Sequence, residues 1–268
     1  MEIQFSKRYS AAEIFHTESK EYCVVFVHGF SESKTCWDDI VRHIQKHSNV
    51  VTYDCLGHGN NSDLWEETSF NAYVTQLKEL ITFLKQEEKF NKIILVGHSQ
   101  GAAIATQYTL QHFDNIDKLI LISPFTYIAE PLKATWTNFL ELVKRGDEEL
   151  FWDINSSLLL GPKSEKWSHL RGDSIQHRLD FFSKKQLVFL IKALLNVNVV
   201  GDISTLHNKL ACLIHGEYDT MFPNYYSKEI LKSVPQAKYI QVSNANHLLV
   251  ELEPYVSQTI IQVISEIA

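Results

Sequence analysis

Glycine (10), proline (6), cysteine (4) and methionine (2) are all scarce among these 268 residues. So little glycine and proline excludes a collagen-like or low-complexity chain. Cys23, Cys36, Cys55 and Cys212 form no CxxC pair and no metal-ligand spacing. The chain is too long for a disulfide-stapled miniprotein, and Cys23 and Cys212 sit in apolar runs, where a free thiol acts as a small hydrophobe. Reduced thiols in a cytoplasmic setting are expected. No apolar stretch approaches ~20 residues, so no membrane span is expected. The first twenty residues scatter charges and contain no apolar core, so no signal peptide is expected. Positive charge is also in short supply: Lys+Arg is 25 against 32 for Asp+Glu, a net charge of -7. Coating a nucleic acid or anionic membrane needs clustered cations that release counterions, so no nucleic-acid partner is expected.

What is present is an ordinary globular composition, 45% hydrophobic and 12% aromatic. Short β-branched runs recur at Cys23–Val27, Val50–Asp54, Lys92–Val96, Lys118–Ile122, Leu210–His215 and Lys238–Val242. Most are apolar throughout, as strands buried on both faces are. Helical patterns alternate with them at Trp37–Lys46, Ser69–Gln86, Ala102–His112, Tyr225–Ser233 and Val256–Ile267. This alternation predicts an α/β fold, a mostly parallel, doubly wound sheet with helices on both faces. The first twenty residues are expected to add an antiparallel hairpin at one edge. Residues 125–206 break the rhythm with a helical pattern and the tryptophans Trp136, Trp152 and Trp167. A connection that long is rarely a bare loop. Residues 1–124 and 207–268 are therefore expected to form the core and 125–206 an inserted helical cap. The plainer alternative is two helices and a long surface loop.

The sharpest chemical signal is Gly97-His98-Ser99-Gln100-Gly101, between the run IILV and the helical run AAIATQYTL. Gly-x-Ser-x-Gly in this setting is a strand turning sharply into a helix. Side chains at the flanking positions would collide with neighbouring chain. The serine then projects at the carboxyl end of the sheet, beside a helix N-terminus that favours a developing anion. A serine hydroxyl is a weak nucleophile and needs a base, and the base needs an orienting group. Asp219 follows the run LACLIH and His247 follows the last run. The order Ser99, Asp219, His247 is that of a hydrolase triad. All three would lie on the rim where open α/β sheets bind ligands.

Taken together, these segments make the chain resemble an α/β-hydrolase fold serine hydrolase over nearly its whole length. Val27-His28-Gly29-Phe30 resembles the oxyanion-loop motif. Residues 54–62 (DCLGHGNNS) resemble the D-x-x-G-H-G-x-S segment, with one extra Asn. Residues 97–101 match the nucleophile elbow, Leu213–Pro223 resembles the acid segment, and His247–Pro254 resembles the histidine loop. The resemblance implies Ser99 as nucleophile, His247 as general base then acid, and Asp219 as the residue orienting the imidazole. It implies an oxyanion hole from the backbone N–H groups of Phe30 and Gln100. It requires neither metal nor organic cofactor, and no HExxH, GxGxxG or Walker sequence is present.

Other titratable residues have plainer expected roles. His28 is expected to shape its loop, His58 to bridge loops, His98 to point away from the site, and His215 to pack in the core. Asp54 also ends a strand and is the rival acid; chain order favours Asp219. Glu217 is expected at the periphery, and Cys36 and Cys55 as spectators. Serine at the elbow excludes dehalogenase-like and epoxide-hydrolase-like members, which use aspartate there. HGFSES is neither an HGGPG nor an HGGG loop. Elimination of pyruvate is disfavoured by Ala103 and the lack of a nearby arginine in the elbow helix. C–C hydrolysis is disfavoured by Leu248 after His247. Phe125, Tyr127, Trp136, Phe139, Phe151, Trp152, Phe181, Phe182 and Phe189 could line an acyl pocket, although most must pack the cap itself. Arg145, Arg171, Arg178, Lys184 and Lys185 could receive an anionic substrate or form a solvated face. The expected activity is hydrolysis of a small or medium carboxylic ester, thioester or lactone. The alternatives are C–C hydrolysis or elimination on the same triad, and slow-turnover ligand sensing.

Overall fold

Strands form where the aliphatic runs fall. The computed structural model describes residues 2–3, 12–18, 22–161, 178–252 and 254–267. Its strands are β1 (Glu2–Ile3), β2 (Ala12–Phe15), β3 (Tyr22–Val27), β4 (Asn49–Tyr53), β5 (Lys92–His98), β6 (Lys118–Ile122), β7 (Leu210–Gly216) and β8 (Lys238–Val242). They join in one 8-stranded sheet in the order β1-β2-β4-β3-β5-β6-β7-β8. The pairs from β4 to β8 are parallel, while β1 with β2 and β2 with β4 are antiparallel. The edge hairpin expected of the N-terminal residues is therefore present.

The central strands are buried on both faces, which is why they read as unbroken apolar runs. Val25, Val27, Ile93, Leu95 and Leu213 face one layer, with α2 (Phe70–Gln86) and α3 (Gln100–Gln111). Val24, Phe26, Ile94, Val96 and Ile214 face the other. That second layer holds α1 (Asp38–Ile44) and the last helix, Pro254–Ile267. Two boundaries differ instructively from the sequence pattern. The predicted helix at Trp37 opens as a tight 3₁₀ turn, Lys34–Trp37, before α1. The predicted helix at Ala102 starts at Gln100, with Ser99 at the N-cap position and its side chain making no capping bond.

Between β6 and β7 the described chain carries α4 (Glu130–Arg145), α5 (Glu148–Leu160) and α6 (Lys184–Leu195). Trp167 and Arg171 lie outside the described residues. Gly146, at φ 93, ends α4 in the left-handed conformation that glycine adopts without strain. The α5 helix follows directly. A reciprocal capping box of Ser183 and Gln186 opens α6. The Gln186 amide also donates to the Gly57 carbonyl at 2.8 Å, seating α6 on the loop after β4. The insertion is tied at its ends by a bridge between Tyr127 and Asn198. Beyond β7 lie α7 (Tyr225–Ser233), α8 (Leu249–Leu252) and α9, the helix Pro254–Ile267.

Candidate active site

Ser99 stands at the turn from β5 into α3 with φ 53 and ψ -118. A non-glycine residue held there costs ~1–3 kcal/mol. Two close approaches make the turn specific to glycine. A Cβ on Gly97 would lie 2.5 Å from the Gly101 carbonyl oxygen, and one on Gly101 would lie 2.2 Å from that of Val27. Both neighbours are backbone and cannot rotate aside. The Ser99 hydroxyl is thus presented, nearly buried, at the N-terminus of α3.

Asp219 lies beyond β7 and His247 beyond β8, on the same rim. Asp219 Oδ2 is 2.7 Å from His247 Nδ1, and His247 Nε2 is 2.9 Å from Ser99 Oγ. A carboxylate only accepts, so Nδ1 carries the proton and Nε2 is left to accept from the serine. The other Asp219 oxygen accepts backbone N–H bonds from Met221 and Phe222 at 3.1 and 2.8 Å. Burial alone would raise the Asp219 pKa. The adjacent His247 and then His215 outweigh it and hold the carboxyl well below the usual carboxylate range. His215 is fully buried, bonded to Ser227 and the Phe222 carbonyl.

The rival acids sit elsewhere. Asp54 accepts the Lys34 and Asn60 amides at 2.7 and 3.0 Å and so shapes its own loop. Glu217 is exposed and accepts the Asn244 amide. His58 bridges loops as expected: its Nδ1 donates to the Leu56 carbonyl and its Nε2 accepts the Ser31 amide. Burial, aided by neighbouring His28, pushes its pKa down to about 3. His28 donates to the Gly29 carbonyl and accepts the Cys55 amide, holding the loop after β3 to the loop after β4.

That loop after β3 carries Phe30. Because β3 and β5 are neighbours, with Val27 opposite Gly97, Phe30 comes beside Ser99. Neither the Phe30 nor the Gln100 backbone N–H has an acceptor among the described residues.

Two features were not visible in the sequence. Glu32, nearly buried, accepts the Gly29 amide at 2.6 Å and faces His98 Nδ1 at 3.1 Å. His98 does not line the cavity, yet its Nε2 lies 3.1 Å from the His247 carbonyl oxygen. The second feature is the C-terminus of α5. Its Leu158, Leu159 and Leu160 carbonyls accept from Thr220 Oγ1, the His247 amide and Asn246 Nδ2 at 2.6, 3.2 and 3.1 Å. Helix ends leave such carbonyls unmatched, and here both loops that carry Asp219 and His247 satisfy them.

A cavity of about 20 Å³ adjoins Ser99 and His247. A wider groove of about 530 Å³ lies beyond Ser31, Glu32 and Arg178, which border both. Arg178 donates to the Ser31 carbonyl and hydroxyl and stacks over Trp152. Of the inserted aromatics, Trp136 lines the cavity and Phe181 and Phe182 line the groove. Phe125, Phe139, Phe151 and Trp152 are buried in packing. Arg145, Lys184 and Lys185 are exposed. Among the described residues no group of three or more His, Cys, Asp or Glu side chains is arranged to hold a metal ion. No described helix is long and apolar enough to cross a membrane.

A family model for the alpha/beta hydrolase fold matches residues 22–254. The chain belongs to the α/β-hydrolase family. Mb2734 of Mycobacterium bovis, an uncharacterized protein, is 26% identical over 121 residues, 45% of this chain and 34% of that protein. The match thus spans about a third of that relative's length. A probable esterase of Oryza sativa subsp. japonica is 30% identical over 107 residues, 40% of this chain and 39% of its own. The solved structure of MGS-M2, an alpha/beta hydrolase enzyme from a Medee basin deep-sea metagenome library, superposes with a TM-score of 0.82 at 20% identity. It covers 95% of this chain and 93% of that one. At that identity the likeness is one of fold.

Proposed function

We propose that this α/β-hydrolase is a serine hydrolase of a small or medium carboxylic ester, thioester or lactone. The observation that carries the reading is the unbroken hydrogen-bond line from Asp219 through His247 to Ser99. In the proposed reaction Ser99 Oγ attacks the ester carbonyl carbon while His247 Nε2 takes its proton. The Phe30 and Gln100 amides receive the oxyanion, each worth roughly 3–4 kcal/mol to the transition state. The C–O bond to the alcohol breaks, and the alcohol leaves with the proton held on His247. Water then attacks the acyl-enzyme by the same route and releases the acid. Asp219 stays ionised throughout, and its depressed pKa supports that role. Residues 125–206 act as a cap that limits substrate size, consistent with a cavity of only about 20 Å³.

The test is hydrolysis of p-nitrophenyl esters from C2 to C12 at pH 7–8, comparing wild type with Ser99→Ala. The expected result is turnover over a narrow range of chain lengths and a loss of at least about a thousandfold in the variant. Fluorophosphonate labelling of Ser99 without any ester turnover would redirect the reading to C–C cleavage or slow-turnover ligand sensing. Neither labelling nor turnover would remove the catalytic assignment of Ser99.

A further inference from the structure

The last turn of α5 meets the two loops that carry the proposed acid and base. Ser157 gives its carbonyl to the Gly161 amide, which closes the helix. The next three carbonyls leave the helix altogether. Leu158 accepts from Thr220 Oγ1 at 2.6 Å, Leu159 from the His247 amide at 3.2 Å and Leu160 from Asn246 Nδ2 at 3.1 Å. Thr220 directly follows Asp219, and Asn246 directly precedes His247. The Asn246 carboxamide is used at both ends, because its Oδ1 accepts the Leu248 amide at 2.9 Å. The backbone is therefore pinned on either side of the imidazole. The Tyr218 amide donates to the Ala245 carbonyl at 2.8 Å, so the acid loop is tied to the base loop as well.

The helix is a firm partner for these bonds. Phe151 and Trp152 are fully buried, and Phe151 packs on Phe139 of α4 with ring centroids 5.3 Å apart. A helix C-terminus concentrates partial negative charge on its unmatched carbonyls, which favours N–H and O–H donors there. The same helix reaches the cavity beside Ser99 through Asn155 and Leu159. Leu159 thus lines that space and also holds the His247 amide. The line from Asp219 through His247 to Ser99 rests on contacts of 2.7 and 2.9 Å. A displacement of about 1 Å breaks such contacts, and misplacement on that scale can cost about a hundredfold in rate.

We propose that Thr220 and Asn246 are positioning residues, which set Asp219 and His247 in register with Ser99 by holding them to the end of α5. The inserted helix then belongs to the catalytic frame and is not a lid that swings clear of it. The inference rests on the serine-hydrolase reading for its rates. The plainer role for these bonds is to fasten the insertion to the core, and the two roles differ in what they do to kcat. The test is steady-state hydrolysis of the p-nitrophenyl ester that wild type turns over best, in Thr220→Val, Thr220→Ser and Asn246→Ala. Thr220 is exposed, and valine keeps its shape while removing the donor. The expected result is a fall in kcat of at least about tenfold in Asn246→Ala and about threefold in Thr220→Val, with KM within about twofold of wild type. Thr220→Ser, which keeps the hydroxyl, should restore kcat. Wild-type kcat in both deletion variants, whatever their stability in urea, would overturn the proposal, as would a Thr220→Ser as slow as Thr220→Val. If Asn246→Ala fails to fold, the Thr220 pair decides alone. The downfield proton NMR resonance of His247 Nδ1–H reads the same alignment without turnover. It should shift and exchange faster with water in Thr220→Val and return in Thr220→Ser. If wild type turns over no ester and no fluorophosphonate labels Ser99, the hydrolase reading fails. The resonance still decides the positioning: a change that serine reverses upholds it, and an unchanged resonance refutes it.

Discussion

Glu32 joins the loop after β3 to the loop that carries His247 through a single ring. Its carboxylate accepts the Gly29 amide and faces His98 Nδ1, while His98 Nε2 meets the His247 carbonyl. Carbonyl and carboxylate oxygens both accept, so His98 links the two loops through its two ring nitrogens. The pair is almost free of water, with side chains 0% and 7% exposed. Removing one partner of such a buried bridge leaves the other unmatched, at a cost of about 1–3 kcal/mol. Glu32→Gln is therefore expected to lose that much stability in urea unfolding. It should also slow fluorophosphonate labelling of Ser99 about tenfold, because the His247 loop loses one anchor. Labelling at the wild-type rate would show that the contact is structural alone. In the sequence Glu32 is one more polar residue in the loop HGFSES. Nothing local marks it, since its partners are brought to it by the adjacency of β3 and β5.

The β5–α3 turn shows which parts of the site are legible from sequence at the level of elements. Its signal is local: an aliphatic strand, two glycines around a serine, then a helix, within a few consecutive residues. Ser99, Asp219 and His247 could each be located because each follows its own strand. The anchoring of their loops by the α5 carbonyls could not, since those bonds join residues 62, 88 and 86 positions apart. The cavity wall was legible only in part: Trp136 stood among many candidate aromatics, while Asn155 in a helix carried no signal. Glycine at the elbow and glycine at a helix end also differ in kind. A Cβ on Gly101 meets backbone at 2.2 Å, whereas one on Gly146 meets only the far end of Lys184 at 3.7 Å. Gly101→Ala should cost about 3 kcal/mol by overpacking. Gly146→Ala pays only for its left-handed backbone, about 1 kcal/mol. Urea midpoints of the two variants test that order, and equal losses would refute the steric account.

For the whole molecule, buried titratable groups make the fold sensitive to acid. His58 is held neutral, with its pKa pushed down to about 3 by burial and then by His28, against 6.5 for an unperturbed imidazole. Between those values the unfolded chain binds a proton that the folded chain refuses. The His58 contribution is therefore full above about pH 6.5 and drains away as pH falls towards 3, by up to ~1.4 kcal/mol per pH unit. Asp219 acts in the same direction at lower pH. Its folded-state pKa lies below the usual carboxylate value, so its contribution is present above about pH 4 and is lost on further acidification. The two losses follow one another as pH falls. His58 clamps the loops after β3 and β4, and Asp219 those after β7 and β8. His58→Gln removes the first titration while leaving an amide that donates and accepts in its place. Its stability at pH 7 should lie below wild type by about 1–2 kcal/mol, the cost of an imperfectly matched buried site. Between pH 6 and 4 its unfolding free energy should decline more shallowly than that of wild type by ~1 kcal/mol per unit, so the two curves converge. Urea unfolding at pH 7, 6, 5 and 4 measures both slopes. Parallel lines would mean that another group, not His58, carries the acid sensitivity of the fold.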